Sequence, residues 1–403
     1  MLYRWLLLAL ALWGCRATTA SASDLIAFWD VPQRGGNSFN GRPPSEAYFW
    51  ALRGYGATWV RLAYDKWPAA RRDFLIGDAD RYQGIPPSDL ASLRTVLDRA
   101  GAAGLKVVIS PLSLPGARWV QNNGNIRDAR LWHDPAYRAQ AATFWRDLAT
   151  ALRDHPAVAA YNIINEPTPE MGEGLAEHPS MDQAMLWYAG HRGTGSDIRA
   201  FYAEIVRAIR EVDPLTPIML DMGWYAAADA FYWDALPDRR LLYAFHMYEA
   251  YELTSAPNLQ RNPPLPYPGD APGRGHWDRA RVIDYLAAPG RWAGAQGLPP
   301  TRIVAGEFGC MRRLPFCPAY LEDVVSALEA NGFHWAFYAF REDVWDGMDY
   351  ELGAGPAGAD YWVAVGRGDN DAVQRNPTPI FEPILRRLRA ASAGGEPGGQ
   401  RVP

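Results

Sequence analysis

The sequence predicts an α/β protein, a single (β/α)8 TIM barrel with elaborated loops at the C-terminal face of its strands. Three observations predict it. Short apolar runs alternate about eight times with amphipathic stretches, the pattern of parallel strands joined by crossover helices. The chain has 403 residues, 48% of them hydrophobic, a length that one such barrel uses as a single unit. Two of the apolar runs stop abruptly at a carboxylate, Glu166 and Glu307, and strand ends are where such a barrel carries its chemistry. No internal repeat is evident.

Residues 1–22 are set apart from that fold. Arg4 precedes the apolar run 5–13, and Ala20-Ser21-Ala22 offers the small residues of a cleavage site, so a secretory signal is expected. The run is too short, and too soon followed by Arg16, to span a bilayer. Leu12-Trp13-Gly14-Cys15 faintly resembles a bacterial lipoprotein box, with bulky Trp13 where a small residue belongs. Simple cleavage is therefore expected in preference to a lipid on Cys15. The expected location is secreted or periplasmic, with an outer-membrane lipoprotein as the alternative. The barrel is expected over 23–390, and 391–403 as a disordered tail.

The elements follow in order. A first strand is expected over 25–31 or slightly later, then Arg34-Gly35-Gly36-Asn37. A helix over 44–53 buries Ala47, Phe49, Trp50 and Leu52 and ends at Gly54 and Gly56. The second strand, 57–63, contains Arg61, a cation that needs a carboxylate if it is buried. Ser88-Asp89 caps a helix reaching Ala100, with Leu90, Leu93, Val96 and Leu97 on one face. The third strand is 105–110, and the long loop after it holds Trp119 and Trp132. Asp134-Pro135 opens a helix to about Arg153, proline being tolerated in a first turn. The fourth strand runs into Asn165-Glu166-Pro167, where Pro167 ends the ladder because it has no N–H to donate. A helix over 197–212 and a strand over 217–221 come next. The sixth strand, 241–245, ends in His246-Met247-Tyr248. Segment 256–300 is an elaborated loop with a helical piece at 278–286. The seventh strand, 302–306, meets Glu307. A helix over 320–330, an eighth strand over 334–341 and a helix over 381–389 complete the fold.

Composition narrows the function. Forty basic against 45 acidic residues give a net charge of -5 without a basic stripe, which argues against a nucleic-acid partner. The 17 Trp and 20 Tyr exceed what a core needs and suit a sugar cleft, where flat rings stack on pyranose faces. No metal-ligand spacing occurs, so no metal or cofactor is expected. After signal removal two cysteines remain, Cys310 and Cys317, an even count that in an exported chain points to a disulfide. A monomer is favoured.

Five motifs together resemble glycoside hydrolase family 5, the cellulase family among barrel glycosidases, over nearly the whole mature chain. Arg34-Gly35-Gly36-Asn37 resembles the family's opening motif, Val60-Arg61 its second-strand Arg, and Asn165-Glu166-Pro167 its acid/base motif. His246-Met247-Tyr248 resembles its sixth strand and Glu307-Phe308-Gly309 its nucleophile motif. The resemblance implies Glu166 as acid/base, Glu307 as nucleophile, and Asn37, Arg61, Asn165, His246 and Tyr248 as the residues that meet the sugar or orient the two carboxylates. Two departures stand out. Ser110-Pro111-Leu112 lies where the family often has a His, and Phe340 where it usually has a Trp platform. Phe340, Trp345 and Trp119 are the candidate platforms, with Trp335 as a core alternative. The residues agree with the resemblance: glycoside cleavage needs a proton donor for the leaving oxygen and an anion for the sugar carbon. The expectation is an exported retaining endo-β-glycosidase acting on a β-1,4-glucan. A β-mannanase or other β-glycanase is the alternative within the class. A non-catalytic carbohydrate-binding barrel or a cell-envelope lipoprotein is the alternative outside it.

Overall fold

Eight parallel strands close into a barrel in a computed structural model that describes residues 24–369, 373 and 375–393. They are β1 Arg34–Ser38, β2 Trp59–Leu62, β3 Lys106–Ile109 and β4 Val158–Asn162. The circle continues with β5 Ile218–Asp221, β6 Leu241–Met247, β7 Ile303–Phe308 and β8 His334–Phe337. Each strand pairs with its neighbours in sequence, and β8 returns to β1. The expected barrel is therefore present. The register sets Asn37 beside Arg61 and His246 beside Glu307.

The expected first strand is a correction. Within 25–31 the chain forms a helix, Asp24–Phe28, and then inserts Trp29. Trp29 is fully buried against Trp59, Val108, Ala160, Met219, Leu242 and Val304, the lowest inward layer of the strands. Its Nε1 donates to the Ala159 carbonyl at 3.1 Å. A short apolar run fits strand or helix equally well by periodicity, and here its tryptophan plugs the barrel's N-terminal mouth. The strand itself is the glycine-bearing segment after it. A Cβ on Gly35 would lie 2.5 Å from the Trp59 carbonyl oxygen, so only glycine lets β1 approach β2 this closely.

Several helices open on a side-chain cap. Ser45 Oγ accepts from the Tyr48 N–H and opens Glu46–Gly54. That helix buries Tyr48, Phe49 and Leu52, whereas Trp50 faces solvent and Ala47 is exposed. Three-and-four spacing joins Tyr48 and Phe49 to Leu52 on one face and turns Trp50 away. The next helix, Pro87–Ala102, opens one residue earlier, so Ser88 and Asp89 fall inside its first turn and do not cap it. The Asp89 carboxylate instead accepts from the Ala70 and Leu75 N–H groups and holds the preceding loop. Asp134 caps Pro135–Leu152, and Asp197 caps Ile198–Arg210. Segment 256–300 carries a two-stranded hairpin and a longer helix than expected, Arg279–Ala295. The last helix, Glu382–Ala393, extends into the stretch expected to be a tail. The expected signal, Cys15 and the tail from 394 onward lie outside the described residues. Among the described residues no helix is long and apolar enough to cross a membrane.

The barrel interior is divided. Its lower layers are apolar around Trp29. Its upper layers hold buried Asn37, Arg61, Ser110, Asn162, Asp221, His246 and Glu307, and they form the floor of the cleft.

Candidate active site

Arg61 organises the cleft floor. It is fully buried on β2, where water cannot satisfy its guanidinium. Its Nη1 lies 2.6 Å from Glu307 Oε1. Its Nε and Nη2 donate to Asn162 Oδ1 at 3.0 and 2.7 Å, and Nη2 donates to Asn165 Oδ1 at 2.7 Å. Asp221, at the end of β5, is 3.3 Å away on the other side. Asn162 is oriented in turn by Ser110 Oγ at 2.9 Å and by donating to Asp221 Oδ1 at 2.8 Å. A buried charge without such partners would cost several kcal/mol.

Glu307 lies one residue before the end of β7, with both oxygens engaged. Tyr248 donates to Oε2 at 2.7 Å, opposite the Arg61 contact. Burial first, and then the Glu307 charge, raise the Tyr248 phenol well above its usual range, so it keeps its proton and remains a donor. Glu166 lies four residues beyond β4, in the left-handed region at φ +49°. Its N–H donates to Asp221 Oδ2 at 3.2 Å, which helps hold that conformation. Its side chain is 30% exposed, and Oε1 lies 2.8 Å from His246 Nδ1. His246 Nδ1 is also 3.8 Å from Glu307 Oε1. Burial pushes the His246 imidazole down, but the carboxylates of Glu307, Glu166 and Asp221 outweigh it and the net direction is upward.

Glu166, His246 and Glu307 thus meet at one point, with one ligand atom of each within 4.8 Å of the others. That spacing would also suit a metal ion. Arg61, 2.6 Å from Glu307, already places a cation there.

The structure brings five expected site residues together: Glu166, Glu307, Asn165, His246 and Tyr248. Asn165 lines the cleft, and with its Oδ1 held by Arg61 its amide nitrogen is the group left for a ligand. Three expectations need correction. Arg61 meets a carboxylate, Glu307, as a buried cation must, but it and Asn37 lie beneath the cleft and do not line it. Asn37 donates to the Gly306 carbonyl at 2.9 Å and so ties β1 to β7 under the glutamate. Phe340 is buried, packed edge-on against Tyr48 at 5.1 Å and near Phe337. Because β8 ends at Phe337, the residue turned into the cleft is Tyr338, which donates to Glu342 at 2.7 Å. Trp345 lies 6.1 Å from it between ring centres, and Trp119 also lines this lobe. Trp335 is core. The expected disulfide is absent: Cys310 and Cys317 are free, buried thiols. Cys317 begins a helix, and its thiol donates to the Cys310 carbonyl at 3.2 Å; burial first, then Cys310, raise it well above the usual thiol range.

Sequence reading missed Asp221, Asn162, Tyr338 and Glu342. Asp221 carries the same signal as the two glutamates, a carboxylate ending an apolar strand. Lys66, which pairs with Glu342 at 2.7 Å and lies 5.4 Å from the Trp119 ring centre, carried no such signal. The cleft has two lobes. The larger, about 740 Å³, is lined by Lys66, Tyr248, Glu307, Tyr338 and Trp345. The smaller, about 220 Å³, is lined by Arg127, Thr168, Met171 and Tyr225. Trp119, Asn165 and Glu166 line both.

The family model for cellulase, glycosyl hydrolase family 5, matches residues 26–343. The chain belongs to glycosyl hydrolase family 5. Arg61, Asn165, Glu166, Asp221, His246, Tyr248 and Glu307 all fall inside the matched span, and this family 5 protein is a glycoside hydrolase by membership. Solved structures agree on the fold. A structure described as an endoglucanase superposes with a TM-score of 0.61 at 18% identity, covering 90% of this chain and 99% of that one. Thermotoga maritima Cel5A with cellobiose gives 0.60 at 17% identity, covering 91% and 100%. A β-xylosidase of Phanerodontia chrysosporium is 25% identical over 179 residues, 43% of this chain. That match spans 32% of the relative, so the chain accounts for about a third of its length.

Proposed function

We propose that this family 5 protein is a retaining endo-β-glycosidase that cleaves β-1,4-glucan by double displacement. The observation that carries the mechanism is the carboxylate spacing, an oxygen of Glu166 and an oxygen of Glu307 within 4.8 Å. Retaining enzymes hold their carboxyl groups about 5–5.5 Å apart, whereas inverting enzymes need about 6.5–9.5 Å to admit a water. Glu307, held by Arg61 and Tyr248, attacks the anomeric carbon. Glu166 gives its proton to the leaving oxygen, and His246 at 2.8 Å orients it. In the second step Glu166 takes a proton from water, which attacks the glycosyl–Glu307 bond on the face the leaving group has vacated.

An endo reading is supported by lobes on both sides of Glu166, which offer sugar sites before and after the scissile bond. A glucan is supported by the cellulase family match and by structural neighbours described as endoglucanases. The β-xylosidase likeness favours a β-xyloside as the second reading. Export by cleavage near Ser23 belongs to the same proposal. Purified protein should be assayed for reducing ends and for viscosity on β-glucans, β-mannans and xylans. Viscosity of β-1,4-glucan should fall well before reducing sugar accumulates. Steady release of monosaccharide at constant viscosity would overturn endo action, and preference for xylan would replace the substrate. Intact mass from the native host should begin at about Ser23; a diacylated Cys15 would overturn the export route.

A further inference from the structure

We infer that the smaller lobe receives the leaving-group sugar, that Tyr225 selects what binds there, and that buried Glu170 positions Tyr225. The inference rests on the retaining glycosidase reading above. Lobe membership gives the cleft its polarity. The nucleophile must touch the ring whose anomeric carbon it attacks, and Glu307 lines only the larger lobe. The acid must reach the oxygen between the two rings, and Glu166 lines both lobes. The lobe beyond the acid, without the nucleophile, is left for the ring that departs. Its walls suit a pyranose. Trp119 and Tyr225 offer ring faces, and Asn165 and Arg127 offer donors.

Tyr225 is held there by an unusual backbone. Trp224, Tyr225 and Ala226 take φ values of +44°, +58° and +60° in succession. Side chains of L-residues leave that region unless their surroundings hold them in it. The holding group is Glu170, fully buried on the loop that follows Glu166 and unused by the chemistry. Its Oε2 accepts from the Trp224 N–H at 3.2 Å, and its Oε1 accepts from the Tyr232 hydroxyl. A Cβ on Gly223 would lie 1.8 Å from Glu170 Oε1, so the residue before the left-handed run must be glycine for the carboxylate to reach it. At the far end Ala227 bridges to His246 on β6. One buried carboxylate therefore couples the loop carrying the acid to the loop carrying the lobe's wall.

The test compares two substrates sharing one glycone, an oligosaccharide and a glycosyl fluoride. The fluoride's leaving group is a single atom and cannot fill the lobe. In Tyr225→Ala the ratio of kcat/KM for oligosaccharide over fluoride should fall about tenfold. Tyr225→Phe should keep the wild-type ratio, because the ring face is what binds. Glu170→Ala should lower the ratio as Tyr225→Ala does, an effect that general loosening of the fold would not produce. Equal losses on both substrates, or an unmoved ratio in Tyr225→Ala, would overturn the lobe assignment. A ratio lowered by Tyr225→Ala but not by Glu170→Ala would overturn the positioning role alone. A wild-type protein that cleaves neither substrate would instead overturn the glycosidase reading on which both rest.

Discussion

The two ends of the barrel interior are built from the same eight strands by opposite rules. At the lower end Trp29, Trp59, Val108, Met219 and Leu242 fill a mouth whose requirement is volume. At the upper end Arg61, Asn162, Asp221 and Glu307 fill a floor whose requirement is partners, each donor meeting an acceptor. A methylene lost below leaves a cavity. A partner lost above leaves a buried charge. Volume below and partners above are separate requirements, so a substitution in the lower layer can cost stability while sparing the chemistry, whereas one in the upper layer costs both.

The largest expected effect is on the chemistry of the upper end. Glu307→Gln should lower kcat by roughly 10⁴-fold or more, the scale of a lost nucleophile, while substrate binding survives because the amide keeps the carboxylate's shape. Isothermal titration beside a turnover assay measures both. Retained turnover would place the nucleophile elsewhere.

A paired substitution sharpens the contrast next. Arg61→Leu and Trp29→Ala should each cost about 3–5 kcal/mol, the first by stranding buried carboxylates and the second by opening a cavity. Chemical denaturation should place them close together in stability. Activity should separate them: Trp29→Ala keeps kcat within about threefold below its melting temperature, whereas Arg61→Leu loses it. If both variants lose activity alike, the two layers are not separable.

Two buried histidines give the smallest effect and the clearest sign. At the lower end His334 accepts from the Gln33 N–H at 2.9 Å on Nδ1, and its Nε2 faces the Thr301 carbonyl at 2.9 Å. Burial pushes this imidazole down to about 4. The folded state thus holds it neutral, and that contribution is full above the unfolded value near 6.5 and is lost as pH falls toward 4. At the upper end His246 is shifted upward by its carboxylates despite burial. Its contribution is full below the unfolded value and is lost as pH rises through the raised one. Histidine NMR should show His334 titrating near pH 4 and His246 above 6.5. The reverse order would contradict the division between the layers.

How much of this was legible depends on which rule each end obeys. Glu166 and Glu307 stood out because a buried strand rarely stops at a carboxylate without use, and Arg61 because an apolar strand rarely holds a cation without a partner. The same logic applied to Asp221 would have found the acceptor that holds both Arg61 and the Glu166 N–H. Trp29 was not legible. The short apolar run 25–29 is compatible with a strand, and only the closed barrel reveals a mouth to be filled. Phe340 and Tyr338 were exchanged because strand alternation fixes which side chains alternate but not where β8 ends. The cysteine pair satisfied a counting rule, but counting carries no information on where two side chains point. Glu170 carried no local signal, since its partners lie on the loop after another strand.

On the proposed mechanism Glu307 attacks the sugar directly, because it lies too near Glu166, within 4.8 Å oxygen to oxygen, for a water to work between them. Proton NMR of the first-formed product from a β-linked oligosaccharide tests it most directly. Two successive inversions should deliver the β-anomer first, with the α-anomer growing in only by mutarotation. An α-anomer in the earliest spectra would contradict the account.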